Sequence, residues 1–165
     1  MSIARVFFAS TAGTMTNVVF CALEPTLSLR LDDYDGLTQI DDGLIFGIQP
    51  FMYIIATLLT PYLFPKWLEV RLTIIFCSLI LGLSVFLIGP AYSEEGFASM
   101  LSGLFISGFC IGPLTIVNMG EMMQATRQKH PKIDLDYTYS MLSGLFNFSL
   151  ALGQVLGPII GSLIY

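Results

Sequence analysis

Residues 6–31, VFFASTAGTMTNVVFCALEPTLSLRL, decide the fold. Ser10, Thr14, Asn17, Cys21, Glu24 and Ser28 recur at steps of four, three, four, three and four, a spacing that sets them along one face of an α-helix. The remaining faces are apolar, with Val6, Phe7, Phe8, Met15, Val18, Val19, Phe20, Ala22, Leu23 and Leu27. At about 1.5 Å per residue such a helix is roughly 39 Å long, enough to cross a hydrocarbon core of about 30 Å with some tilt. The run reads as a membrane helix carrying a polar stripe, and the stripe holds an acid, Glu24.

Composition extends that reading to the whole chain. Of 165 residues, 55% are hydrophobic and 12% are charged, and the mean hydropathy is +0.77. A soluble domain carries about 25% charged residues. Five runs, about 6–31, 43–64, 72–90, 97–120 and 139–164, each meet the length of a spanning helix. The expected fold is therefore all-α, a polytopic bundle of five transmembrane helices in a single domain, with the lipid bilayer as its first partner. The first run offers no small-x-small cleavage site and is read as a retained span.

Charge sets the expected orientation. Arg5, Lys66, Arg71, Arg127, Lys129 and Lys132 fall on one side of the bundle and Arg30 alone on the other, so the N-terminus and loops 65–71 and 121–138 are expected to be cytoplasmic. The net charge is −5 and basic clusters are short, which argues against nucleic acid as a partner. Cys21, Cys77 and Cys110 all lie inside apolar runs and read as small buried residues rather than as a disulfide framework or metal set. The sequence has no nucleophile–base pair, metal-ligand spacing or phosphate loop; no enzyme activity, metal or cofactor is expected.

The spans differ in character. The third, from Leu72 to Pro90, is the most uniformly apolar and is expected to face lipid. The second brings Gln49, Tyr53, Thr57 and Thr60 close to one face. The fourth is rich in small residues, Gly103, Ser107, Gly108 and Gly112, followed by Pro113 and Asn118. The fifth carries Ser143, Asn147, Gln154, Gly157 and Gly161 as a stripe, together with Gly144 and Gly153. Gly153, Gly157 and Gly161 stack at i, i+4 and i+8, where the absence of side chains lets another helix approach closely. Pro158 lacks an N–H and frees the carbonyl of Gln154, which permits a kink. Pro25 does the same for Cys21, directly beside Glu24.

The glycine–proline pattern of the last span resembles the antiporter motif of the major facilitator superfamily, with Ser162 in place of its final glycine. Leu23-Glu24-Pro25-Thr26-Leu27, the segment 46–61 with Tyr53 at its centre, Leu87-Ile88-Gly89-Pro90, and the pair 141–146 and 156–161 resemble helices seven, eight, nine and eleven of the vesicular amine and polyamine transporter branch. On that resemblance the chain is part of one half of a major facilitator fold, helices seven to eleven, and its uncapped last helix fits a fragment. Because the two halves are repeats, helices one to five are the alternative register; the Leu-Glu-Pro-Thr-Leu segment favours the second half. The loop after the second span keeps Lys66 and Arg71, where the family gates transport, without the family's aspartate. Gly112 and Asn147 stand where monoamine transporters carry acids, and Gln154 where they carry a tyrosine.

The function so implied is proton-coupled antiport of a small cationic solute, an amine or polyamine. Glu24 is then the substrate and proton group, with Asn17, Gln49, Tyr53, Asn147 and Gln154 completing the pocket. Gly144, Gly153, Gly157, Pro158, Gly161, Pro25, Lys66 and Arg71 serve packing and gating. The rival expectation is a structural subunit of a larger membrane complex that keeps the fold without transport. Either way a further partner is implied, the missing transporter half or another membrane subunit. Vesicle, vacuole and plasma membrane are not distinguished by the sequence.

Overall fold

The computed structural model describes residues 2–32, 39–63, 70–88, 96–129 and 134–164. They form five helices: α1 (Ser2–Asp32), α2 (Gln39–Leu63), α3 (Val70–Ile88), α4 (Phe97–Lys129) and α5 (Leu135–Ile164). Each is long and apolar enough to cross a bilayer, and the protein is an integral, multi-pass membrane bundle. Large side chains such as Phe7, Phe51, Phe76, Leu83, Phe148 and Leu163 point outward, the arrangement a lipid solvent favours. Prolines 25, 50, 61, 113 and 158 sit inside helices, where membrane bundles tolerate them.

The helix α4 is the hub. It packs against α1, α2 and α3 and touches α5, while α5 lies along the other side of α1. Small residues make these approaches close. A Cβ on Gly103 would lie 2.6 Å from Ile88 and 2.9 Å from the Ser84 carbonyl of α3. One on Gly112 would lie 2.9 Å from both the Cβ of Ala56 and the backbone nitrogen of Thr57 of α2. Gln49 donates to Ser107 at 3.2 Å across the same α2–α4 contact.

Three apolar clusters fill the bundle along its length. Leu23, Leu27, Leu31, Ile45, Ile88, Met100 and Leu104 occupy one end. Cys77, Leu81, Cys110, Ile111 and Leu114 lie between, and Ala9, Met122, Leu142 and Phe146 gather toward the end where α1 begins.

Two expectations change. The fourth helix does not stop near residue 120 but continues to Lys129, because its last turns carry good helix formers and end in Arg127 and Lys129, which suit a helix C-terminus. And α3 is not lipid-facing all round. Thr73, Cys77, Leu81, Ser84 and Ile88 form a buried line against α4, while Ser78 is exposed. An apolar helix packing through small and apolar side chains shows no polarity contrast, so hydropathy alone hides its buried side.

Candidate functional site

The contact between α1 and α5 is built from backbone outward. Gly153, Gly157 and Gly161 are buried in a line on α5. A Cβ on Gly153 would sit 2.7 Å from both Asn17 and the Thr14 carbonyl, and one on Gly157 2.7 Å from Cys21. One on Gly161 would sit 2.6 Å from the Ala22 carbonyl, whereas Gly144 faces open space. Hydrogen bonds stitch the same seam. The hydroxyls of Ser10 and Ser149 pair, Thr14 donates to the Ser149 carbonyl at 3.1 Å, and Asn17 Nδ2 donates to the Leu150 carbonyl at 2.6 Å. Paired residue numbers rise together across this seam, so α1 and α5 run parallel.

The polar stripe of α1 is thereby divided. Ser10, Thr14, Asn17 and Cys21 turn toward α5, whereas Glu24 and Ser28 are exposed. Around Glu24, Thr26 donates to the Ala22 carbonyl at 3.0 Å and Ser28 to the Pro25 carbonyl at 2.9 Å. The stripe of α5 divides likewise: its glycines meet α1, and Asn147 and Gln154 are exposed. A residue adjacent in sequence lies about 100° around the helix, so Gln154 is turned well away from the line through Gly153.

The six residues expected to form a pocket therefore take three roles. Asn17 and Gln49 are spent on hydrogen bonds between helices. Glu24, Asn147 and Gln154 present polar groups on the outside of the described bundle. Tyr53, half-buried, packs against the cluster containing Cys77 and Cys110. Pro25 and Pro158 lie inside their helices, both partly covered. Lys66, expected in gating, falls outside the described residues, as do His130 and Lys132.

Sequence reasoning passed over an acid that faces two arginines. Glu121 is 6% exposed and lies in the cytoplasmic loop of the sequence reading, but the extension of α4 makes it helical. Arg5 Nε donates to its Oε1 at 2.8 Å, and Arg5 Nη2 lies 2.7 Å from the same oxygen. Arg71 Nε stands 3.6 Å away with its side chain 63% exposed, and Arg5 also donates to Gln128 Oε1 at 2.6 Å. One carboxylate thus holds the ends of α1, α3 and α4 together against two guanidiniums. The only sequence signal is an acid one step past an apolar run, the same as any loop acid gives.

One turn inside that node, Asn118 is fully buried, and neither its Oδ1 nor its Nδ2 has a hydrogen-bond partner. It faces Gly13 of α1, where an added Cβ would lie 4.0 Å from Asn118 Nδ2 and 3.3 Å from the Phe146 ring. Among the described residues no group of His, Cys, Asp and Glu is arranged to hold a metal ion. Protein-family models, curated proteins and solved structures gave no match to the chain.

Proposed function

We propose that the chain is part of a secondary active transporter that exchanges protons for a small cationic organic solute, an amine or polyamine. The observation that carries this reading is the exposure of Glu24, Asn147 and Gln154 within spanning helices. A carboxylate facing hydrocarbon costs about 2.5–3.5 kcal/mol at a helix centre and less at Glu24, four residues from the end of its span, and exposed amides add to that. Such groups are at home beside water or a polar partner surface, which a cavity between this bundle and a second half would supply. Glu24 would accept the solute's charge in that cavity and a proton in its absence. Pro25 beside it frees the Cys21 carbonyl, a second group that attracts cations. The resemblance to the amine-transporter branch supports the solute class. On this reading the end bearing Arg5, Glu121 and Arg71 is cytoplasmic, and the ion-paired node there stands in for the gating loop that lacks its aspartate.

The test is uptake by the full-length protein in proteoliposomes across a panel of labelled monoamines and polyamines under an imposed proton gradient, with Glu24→Gln beside the parent. Proton-driven uptake that the variant loses supports the reading; uptake unchanged by the variant removes its central claim.

A structural subunit is the second reading, favoured by the commitment of Asn17 and Gln49 to helix packing. There the exposed amides would bond another subunit. Copurification in a fixed stoichiometry with a larger complex, and no uptake of any solute tested, would support it.

A further inference from the structure

The bundle divides into two tightly joined groups. One is α1 with α5, held by three glycines and the hydrogen bonds of Ser10, Thr14 and Asn17. The other is α4 with α2 and α3, held by Gly103, Gly108 and Gly112, the Gln49–Ser107 bond and the bond from Ser99 to the Leu87 carbonyl. Among the described residues, the hydrogen bonds between α1 and α4 all come from Arg5, at one end of the seam.

The rest of the seam is held by packing alone, with Val19 and Phe20 against the stretch around Cys110 and Leu114 and Ala9 against Met122. Farther along it, Leu23, Leu27 and Leu31 of α1 meet Ile45, Ile88, Met100 and Leu104. Leucines repeating every fourth residue replace one another when the helix moves by about one turn. In the middle, Gly13 offers Asn118 no side chain at all, and the amide of Asn118 has no partner. An unpaired amide in an apolar interior is costly to bury, and leucine would fill the same volume without that cost. The next inward residue on this side of α1 is Thr16, which is buried. Its hydroxyl donates to the Ala12 carbonyl at 2.8 Å and keeps lone pairs for an N–H donor.

We propose that α1 and α5 move together along α4 by about one helical turn, exchanging the Arg5–Glu121 ion pair for a hydrogen bond between Thr16 and Asn118. The two events are linked by geometry. Thr16 lies three residues beyond Gly13, so bringing it opposite Asn118 takes a shift of about 4.5 Å. The same shift carries Arg5 past Glu121 and out of bonding range. One-turn ratchets of this size are an established mode of switching between packed arrangements. The shift belongs to the helix seam and stands apart from the identity of any transported solute.

The experiment measures spin-label distances on the full chain in micelles, between exposed Ala4→Cys on α1 and Gln124→Cys on α4, with exposed Phe8→Cys and Tyr139→Cys as the α1–α5 control. The native cysteines are buried. Glu121→Gln is expected to add a second α1–α4 distance, several ångströms from the first, with the control distance unchanged. Adding Asn118→Leu or Thr16→Val is expected to abolish that second distance. Asn118→Leu alone is expected to raise the thermal midpoint, since it removes an unpaired amide from the latched arrangement. If Glu121→Gln does not fold, Arg5→Gln opens the same latch while leaving Glu121 beside Arg71. A single α1–α4 distance in the opened variant, a second distance that survives Asn118→Leu, or an Asn118→Leu midpoint that is unchanged or lowered would each overturn the proposal.

Discussion

Replacing Gly157 with alanine tests the α1–α5 seam by adding one methyl group. The new Cβ would lie 2.7 Å from the Cβ of Cys21, 2.9 Å from the Val18 carbonyl and 3.0 Å from the Ala22 nitrogen. Carbon atoms pack at about 3.5–4.0 Å, and two of these neighbours are backbone, which no rotamer change can move. The helices must separate by roughly 1 Å, the shortfall against that packing distance. Such a separation would stretch the Asn17–Leu150 hydrogen bond from its 2.6 Å beyond the range in which it holds.

Overpacking of this kind costs about 1–3 kcal/mol, and an interhelical hydrogen bond in a membrane contributes about 0.6 kcal/mol. Alanine's better helix propensity returns up to about 1 kcal/mol. The net expectation is a loss of about 1–3 kcal/mol. Gly144 on the same helix faces open space, so Gly144→Ala keeps only the propensity gain and is expected to be neutral or stabilising by up to about 1 kcal/mol. Reversible unfolding in mixed micelles, followed by circular dichroism, reads both changes on one scale. A Gly157→Ala variant as stable as the parent would refute the close approach, as would a Gly144→Ala variant equally damaged.

The ion-paired node sets further expectations. Glu121→Ala is expected to cost about 1–3 kcal/mol in the same assay, below the 3–5 kcal/mol of a fully buried broken pair because Arg5 keeps contact with solvent. Arg71→Ala, at the exposed and longer contact, should cost less than about 1 kcal/mol; a loss equal to that of Glu121→Ala would make Arg71 the main partner and contradict the shorter Arg5 contact. Glu24→Gln should leave unfolding within about 0.5 kcal/mol of the parent, so that any loss of uptake is separable from a loss of folding. Cys21, Cys77 and Cys110 should react with a maleimide only after denaturation, as read by mass spectrometry; rapid labelling of any of them in the native state would contradict its burial.

What the sequence disclosed and what it hid follow from one physical difference. The five helices were legible because apolar runs must be long to cross a bilayer, and the close-packing role of Gly153, Gly157 and Gly161 because glycines at i, i+4 and i+8 leave a groove. The partition of the polar residues was not legible. Asn17 and Glu24 lie seven residues apart on one stripe, yet one bonds α5 and the other is exposed, since the stripe says nothing of how far along the neighbouring helix reaches. Glu121 was hidden for a related reason. Its importance comes from Arg5 and Arg71, distant in sequence and brought to it only by packing. Asn118 stood out as a polar residue in an apolar run, but its lack of a partner is a fact about three helices at once.

The central place of α4 bears on how the protein is made. Helices enter a membrane in chain order, and α1, α2 and α3 would all be inserted before the helix that each of them packs against. Neighbours in sequence offer little substitute, for α1 and α2 meet over a small contact. Within this segment the three helices before α4 would lack their common neighbour, which covers Thr73 and Gln49, until α4 arrives and organises them. A pause before residue 97 would leave α1, α2 and α3 of this segment without the helix that joins them.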